Sequence, residues 1–181
     1  MTNNLLSGPN LQLRALEPHD IDLLYEWEND TSIWKVSNTL TPFSKFQMEE
    51  YVLSAQNDIF ISRQLRLMID LVAPIDQKKS VGTVDLFDFD PFHFRAGVGI
   101  MIRESGRNKG YAREAMEIMI RYAFDTLRLH QLYCNISPEN KSSLHLFEKL
   151  GFARCGVKRD WINDGTQWKE EWMLQLINAH E

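Results

Sequence analysis

An apolar run, Ala96 to Ile102, is followed closely by Arg107-Asn108-Lys109-Gly110-Tyr111-Ala112 and then by an amphipathic stretch reaching about Leu127. A strand, a glycine-bearing turn and a helix in direct succession require a sheet for the helix to pack on. Ala112, Ala115, Met116, Met119 and Ala123 recur at helical spacing and supply the packing stripe. The helix start then carries several backbone N–H groups at the positive end of the helix dipole. That is a recipe for holding a phosphate or pyrophosphate without a metal. No Gly-Lys-Ser/Thr closes the loop as a P-loop would, and Gly97-x-Gly99 lacks the third glycine of a dinucleotide fingerprint. The spacing predicts a phosphate-bearing cofactor of another kind.

The rest of the chain supplies the sheet. Leu11 to Ala15 alternates as a first strand, and Pro18 opens a helix with Ile21, Leu24, Tyr25 and Glu28 on one side. Ser44-x-x-Gln47 is a capping-box start for a second helix to about Leu53, with Phe46 on its apolar face. Leu65–Leu71, Val81–Phe87 and Phe94–Ile102 read as strands, with turns at Lys78-Lys79-Ser80 and Asp90-Pro91. Leu132–Ile136 is a strand and Asn140–Leu150 a short helix. Ala153–Ile162 and Gln167–Ile177 form a hairpin about Asn163-Asp164-Gly165. The order β-α-α-β-β-β-α-β-α-β-β is a mixed α/β sheet. At 181 residues one domain is expected. A net charge of −5 argues against a nucleic-acid partner. No apolar run is long enough to span a bilayer and no signal peptide is apparent, so a cytoplasmic protein without a membrane partner is expected. Two cysteines, Cys134 and Cys155, make no disulfide framework and read as buried thiols.

Downstream of the loop stands Asn140-Lys141-Ser142-Ser143-Leu144-His145-Leu146-Phe147-Glu148-Lys149-Leu150-Gly151-Phe152. With Arg-x-x-Gly-x-Ala before it, this resembles the GNAT superfamily of N-acetyltransferases over most of the chain. The opening Leu13-Arg14-Ala15-Leu16-Glu17 and the Ile162-Asn163-Asp164-Gly165 hairpin look most like the spermidine N-acetyltransferase branch, with the ribosomal-protein N-terminal acetyltransferases next. The resemblance implies one α/β (α+β) domain over residues 11–177 behind a tail of residues 1–10. Its central sheet would be mixed, mostly antiparallel, and flanked by about four helices. Acetyl-CoA would be the co-substrate. Arg107, Asn108, Lys109, Gly110, Tyr111 and Ala112 would wrap its pyrophosphate. The backbone of Met101, Ile102 and Arg103 would pair with the pantetheine arm like an added strand. Asn140 and Ser143 would bind the same arm, Asn140 also capping its helix.

Acetyl transfer to an amine requires a deprotonated nitrogen, since an alkylammonium has a pKa of about 10. It also requires stabilisation of charge on the carbonyl oxygen and a thiolate that can leave. The sequence departs from the family at two places. The position usually held by a tyrosine general acid is Phe147, which has no proton to give, and the glutamate of the Ala-Glu-x-Gly pattern is replaced by Gly97. Asp85 and Asp88 are the remaining carboxylates near the expected path of the amine, with Asp85 the candidate base or ammonium anchor. His145 reads as a surface residue, Tyr133 as a core aromatic, and nothing in the sequence activates Cys134 as a nucleophile.

For the acceptor, Glu26, Glu28, Asp30 and Glu49 offer carboxylates to a multivalent cation, and Trp34 is placed to line the pocket. A small polyamine acetylated by direct attack in a ternary complex is the favoured expectation. A protein N-terminus, and a non-catalytic CoA- or polyamine-binding sensor, are the alternatives. The hairpin edge and the resemblance suggest a dimer or larger homo-oligomer. No spacing demands a metal ion.

Overall fold

The computed structural model describes residues 5–37, 39–72 and 79–179, without the side chains of residues 35 and 36. The first residues of the expected tail and the expected turn residue Lys78 lie outside the described residues. Strand β1 is Leu11–Arg14, followed by helices α1 (Ile21–Glu28), α2 (Trp34–Ser37), α3 (Lys45–Ser54) and α4 (Ile59–Ser62). Strands β2 (Leu65–Leu71), β3 (Ser80–Asp90) and β4 (Arg95–Ile102) come next, then α5 (Tyr111–Arg121), β5 (Gln131–Ile136) and α6 (Lys141–Lys149). The hairpin β6 (Ala153–Asn163) and β7 (Trp168–Ile177) closes the chain. The strands form one sheet in the order β1-β2-β3-β4-β5-β7-β6, antiparallel throughout except between β4 and β5.

One face of the sheet packs against α5 and α6 around Leu11, Val84, Leu86, Ala96, Val98, Met116, Met119, Leu132 and Phe147. The other carries a smaller cluster, in which Met68 meets Leu24 and Trp27 of α1 and Met48 and Val52 of α3. The α5 stripe is as the spacing predicts, with Ala115, Met116, Met119 and Ala123 buried. On α1 the buried aromatic is Trp27, while Tyr25 is exposed. On α3, Phe46 is 64% exposed and Met48 and Val52 face inward. Ser44 caps α3 with the reciprocal Gln47 bond that its spacing predicts. The short helices α2 and α4 span barely one turn each, too little for periodicity to register.

Two polar ties fix the N-terminal strand. Arg14 bridges Asp20 at 2.6 Å and Asp70 at 2.7 Å, and Ser80 donates to Asp70. Burial pushes the Asp20 carboxyl up, but the hydrogen bonds from Arg14 and from the Glu17 N–H prevail and hold it below the usual carboxylate range. Glu114 of α5 accepts from the backbone of Asn10 and Leu11 and from the Asn10 side chain. Residues just ahead of β1 therefore fold back onto the domain, and Leu13 donates to the Leu6 carbonyl. Of the cysteines, Cys134 is buried, its thiol pushed up to about 12 by burial, whereas Cys155 is exposed.

Candidate functional site

Strands β4 and β5 are paired through Arg95, Ala96 and Gly97 against Gln131, Leu132 and Tyr133, and no further. Beyond that point β4 keeps β3 on one side, and β5 keeps β7 on the other. The sheet therefore forks at Gly97 and Tyr133. Which backbone groups face the fork follows from the antiparallel alternation. The Arg103 N–H donates to Val81, so Arg103, and by alternation Met101, spend their backbone groups on β3. Val98, Ile100 and Ile102 turn theirs toward the gap, the Ile102 carbonyl also accepting from Arg107 Nε at 3.1 Å. Of the three residues expected to pair with an added strand, Ile102 faces the fork.

The loop from Arg107 to Ala112 lies beyond the end of β4. Asn108 and Gly110 adopt left-handed backbone conformations, φ 60° and 82°. Alternating conformations of this kind gather successive N–H groups into a concavity that suits anions. Gly110 is the N-cap of α5 and supplies no side-chain cap, so the first N–H groups of the helix are not satisfied from within it. Tyr111 and Ala112 form the first turn of α5, and Arg107, Asn108 and Lys109 are exposed. Across the fork, Asn140 caps α6 by accepting from Ser143 N at 3.2 Å.

The fork fits an amide-bearing arm on a further observation. The Oδ1 atom of Asn135, two residues past Tyr133 on β5, is buried and without a hydrogen-bond partner among the described residues. An unmet acceptor of that kind costs about 1–3 kcal/mol unless a ligand supplies the donor.

The acidic residues expected to hold the acceptor divide into two groups. Glu26 and Asp30 line a cleft of about 250 Å³ with Trp27, Met101, Arg103 and Arg107. Glu28 and Asp85 are instead joined by Arg66, at 2.5 Å each, with Tyr51 beneath the guanidinium at 5.3 Å. Burial pushes the Asp85 carboxyl up, and the same pair of carboxylates keeps Arg66 charged. Glu49 is exposed on α3 and does not line the cleft, and Trp34 donates from its indole to the Glu28 carbonyl.

Asp88 has a different setting. A bulge interrupts the β3–β4 register between Phe87 and Asp90, and Asp88 sits in it at φ 49°. A bulge re-aims side chains. Here the exposed Asp88 carboxylate accepts from the Tyr133 hydroxyl at 3.2 Å. Burial and the charge of Asp88 push that phenol up to about 12. Tyr133, expected in the core, is thus half-buried at the apex of the fork. The surface position of His145 is as expected. Phe147 is 4% exposed and packs edge-on against Phe152 at 5.0 Å.

The family model described as Acetyltransferase (GNAT) domain matches residues 10–153. The chain belongs to this acetyltransferase family. Acetyl-CoA is accordingly its co-substrate, and acyl transfer to an amine is its chemistry. A spermidine N(1)-acetyltransferase of Vibrio cholerae is 29% identical over 160 residues, 87% of this chain and 88% of that one. An uncharacterized N-acetyltransferase of Bacillus subtilis is 30% identical over 172 residues, 95% of this chain and 96% of that one. Among solved structures, the Vibrio cholerae spermidine N-acetyltransferase in complex with CoA and spermine superposes with a TM-score of 0.84 at 24% identity. It covers 94% of this chain and 96% of that one. The GNAT fold is therefore established from both directions. Among the described residues no helix is long and apolar enough to cross a membrane, and no cluster could hold a metal ion.

Proposed function

We propose that this GNAT enzyme acetylates a primary amine of a small polyamine-like cation. The observation that carries the reading is the fork between β4 and β5, with acidic groups on the α1 side and, beyond its mouth, the start of α5, which no side chain caps. Bound acetyl-CoA supplies an acyl group activated as a thioester. Arg107 to Ala112 hold its pyrophosphate, chiefly through backbone N–H groups. Val98, Ile100 and Ile102 offer the backbone edge that no strand pairs, the Ile102 carbonyl shared with Arg107, and Asn135 and Asn140 stand on the opposite wall. Glu26 and Asp30 attract the acceptor, and Asp88, held by Tyr133, anchors a second nitrogen. Asp85, tied to Arg66, shapes the field around the acceptor. The relatives named for spermidine support the choice of acceptor. A dodecameric structure of the Vibrio cholerae enzyme, with a TM-score of 0.77 at 25% identity, supports a homo-oligomer, for which the exposed β6 edge offers a surface. A cytoplasmic setting suits such a substrate.

The test is CoA-thiol release from acetyl-CoA with spermidine, spermine, short diamines and alanine- or serine-starting peptides, each paired with thermal-shift detection of acetyl-CoA binding. Turnover with the polyamines is the expected result. Turnover with the peptides alone would make the chain a protein N-terminal acetyltransferase. Stabilisation by acetyl-CoA without thiol release would place the acceptor outside this panel. Phe147→Tyr checks the leaving-group step. Its kcat is expected to rise severalfold, at a stability cost of about 1–3 kcal/mol for a hydroxyl placed in the core. An unchanged kcat with an intact fold would mean that the thiolate departs unaided.

A further inference from the structure

Gly97 lacks a side chain for a specific reason. A Cβ built there would lie 2.2 Å from Cε2 and 2.5 Å from Cζ of Phe87. The two residues are directly opposed in the β3–β4 register, and the ring extends toward Gly99, where a Cβ would meet it at 3.7 Å. On the far side Phe87 meets Tyr133 edge to face, with centroids 6.1 Å apart. Gly97 and Tyr133 are also the last pair of the β4–β5 ladder. The ring therefore fills the volume in which a side chain at position 97 would stand, at the apex of the fork. A carboxylate at position 97 would require the Phe87 ring to move from its present place.

We infer that Phe87 sets the protonation state of the acceptor. The floor it makes with Gly97 and Tyr133 receives the reacting nitrogen as the neutral amine, not as an ammonium awaiting a base. The inference rests on the acceptor reading above. Desolvation against aromatic carbon disfavours the charged form of an amine. The charges facing this floor are few and mostly engaged. On β3, Asp85 is paired with Arg66, which also holds Glu28 of α1, and Asp88 accepts from Tyr133 of β5. Arg95 of β4 pairs with Asp90. Asp88, bonded to the Tyr133 hydroxyl at the edge of this floor, suits a second nitrogen held as ammonium, leaving the reacting nitrogen to the Phe87 ring. The nitrogen lone pair forms the new C–N bond to the acetyl carbon as the C–S bond breaks. Sulfur departs with that electron pair, and the surplus N–H proton passes through solvent to it, giving amide and free thiol. No side chain need take the proton before attack.

The distinguishing measurement compares size-matched amines, one fluorinated near the reacting nitrogen so that its ammonium is more acidic. In the wild-type enzyme the rising limb of kcat/KM against pH is expected to move with the acceptor's own pKa, with a slope of about tenfold per pH unit below it. Phe87→Val/Gly97→Glu restores room for a carboxylate, and its limb is expected at lower pH and indifferent to the acceptor. Phe87→Val alone opens the space without a base and is expected to keep following the acceptor. A second readout needs no turnover. Calorimetric titration of a monoamine onto CoA-loaded wild type should show affinity rising with pH, whereas the double variant should bind more weakly as the ammonium is lost. A wild-type limb that stays fixed as the acceptor changes, or wild-type affinity that falls as pH rises, would overturn the inference. If no amine is acetylated, the acceptor reading fails, and the calorimetric slope still decides whether the floor takes a neutral amine. If the double variant does not fold, Gly97→Glu with Phe87→Ala replaces it, and the comparison of amines on the wild type still decides whether the reacting nitrogen enters neutral.

Discussion

Arg14→Ala is expected to destabilise the domain by about 3–5 kcal/mol, because it leaves two buried carboxylates without their cation. For a chain of this length that corresponds to a fall in Tm of roughly 10 °C. The Arg14 side chain is 21% exposed, while Asp20 and Asp70 are 3% and 6% exposed. The guanidinium also ties three elements: β1, the turn entering α1, and the β2–β3 pair through Ser80. The pH dependence gives the effect a signature. Asp20 is held below its ordinary value in the folded state. Its contribution is therefore present above the unfolded carboxylate pKa of about 3.9 and is lost as pH falls through the folded value. In Arg14→Ala the same carboxyl is buried without its cation, keeps only the Glu17 N–H, and loses less on protonation. The stability gap between the two proteins should narrow as the pH is lowered through the carboxylate range. Chemical denaturation at neutral and acid pH checks both parts. A gap that stays constant would mean that Arg14 acts through packing of its stem rather than through its charge.

What the sequence discloses depends on how far apart the interacting residues lie. The α5 stripe, the Ser44–Gln47 box and the Asn140 cap are contacts within a turn or two, and local spacing exposes them. The strands of the sheet are likewise legible from alternation and turn residues. The Glu28–Arg66–Asp85 cluster joins residues from α1, β2 and β3, and no spacing announces it. Asp85 is thus visible as an acidic strand residue while the partner that engages it is not. Asp88 reads as a turn residue, because a bulge and a positive φ are properties of the folded strand. The exchange of a carboxylate for Gly97 is plain in the chain. Its reason, the Phe87 ring in the opposite strand, emerges only from the register. Ile102 and Arg103 differ for a similar cause: which of them faces the fork is a matter of hydrogen-bond parity, to which residue type is blind.

The largest loss of function expected from one backbone position is at Gly110. Its φ of 82° lies in the left-handed region, and a Cβ there would meet no atom within 4 Å. Strain, not collision, would therefore govern a substitution. Gly110→Val, β-branched, should cost about 1–3 kcal/mol if the conformation is kept. If the loop instead relaxes toward negative φ, the N–H groups from Asn108 to Ala112 no longer converge, and α5 loses its N-cap geometry. Each hydrogen bond to a charged phosphate is worth about 1.5–3 kcal/mol, so losing even one weakens binding roughly tenfold or more. A rise of about a hundredfold in KM for acetyl-CoA is expected, with the KM for the amine changing little. Gly110→Ala should fall between the two, since it carries the Cβ without the branch. The comparison separates geometry from charge when set beside Lys109→Ala, which removes an exposed cation and leaves the backbone intact. That variant should weaken binding several-fold and in a salt-dependent way, because a solvated charge is screened whereas a gathered set of N–H groups is not. If Lys109→Ala proved the more damaging of the two, the anion would be held by side chains, and the left-handed residues at Asn108 and Gly110 would be incidental to it.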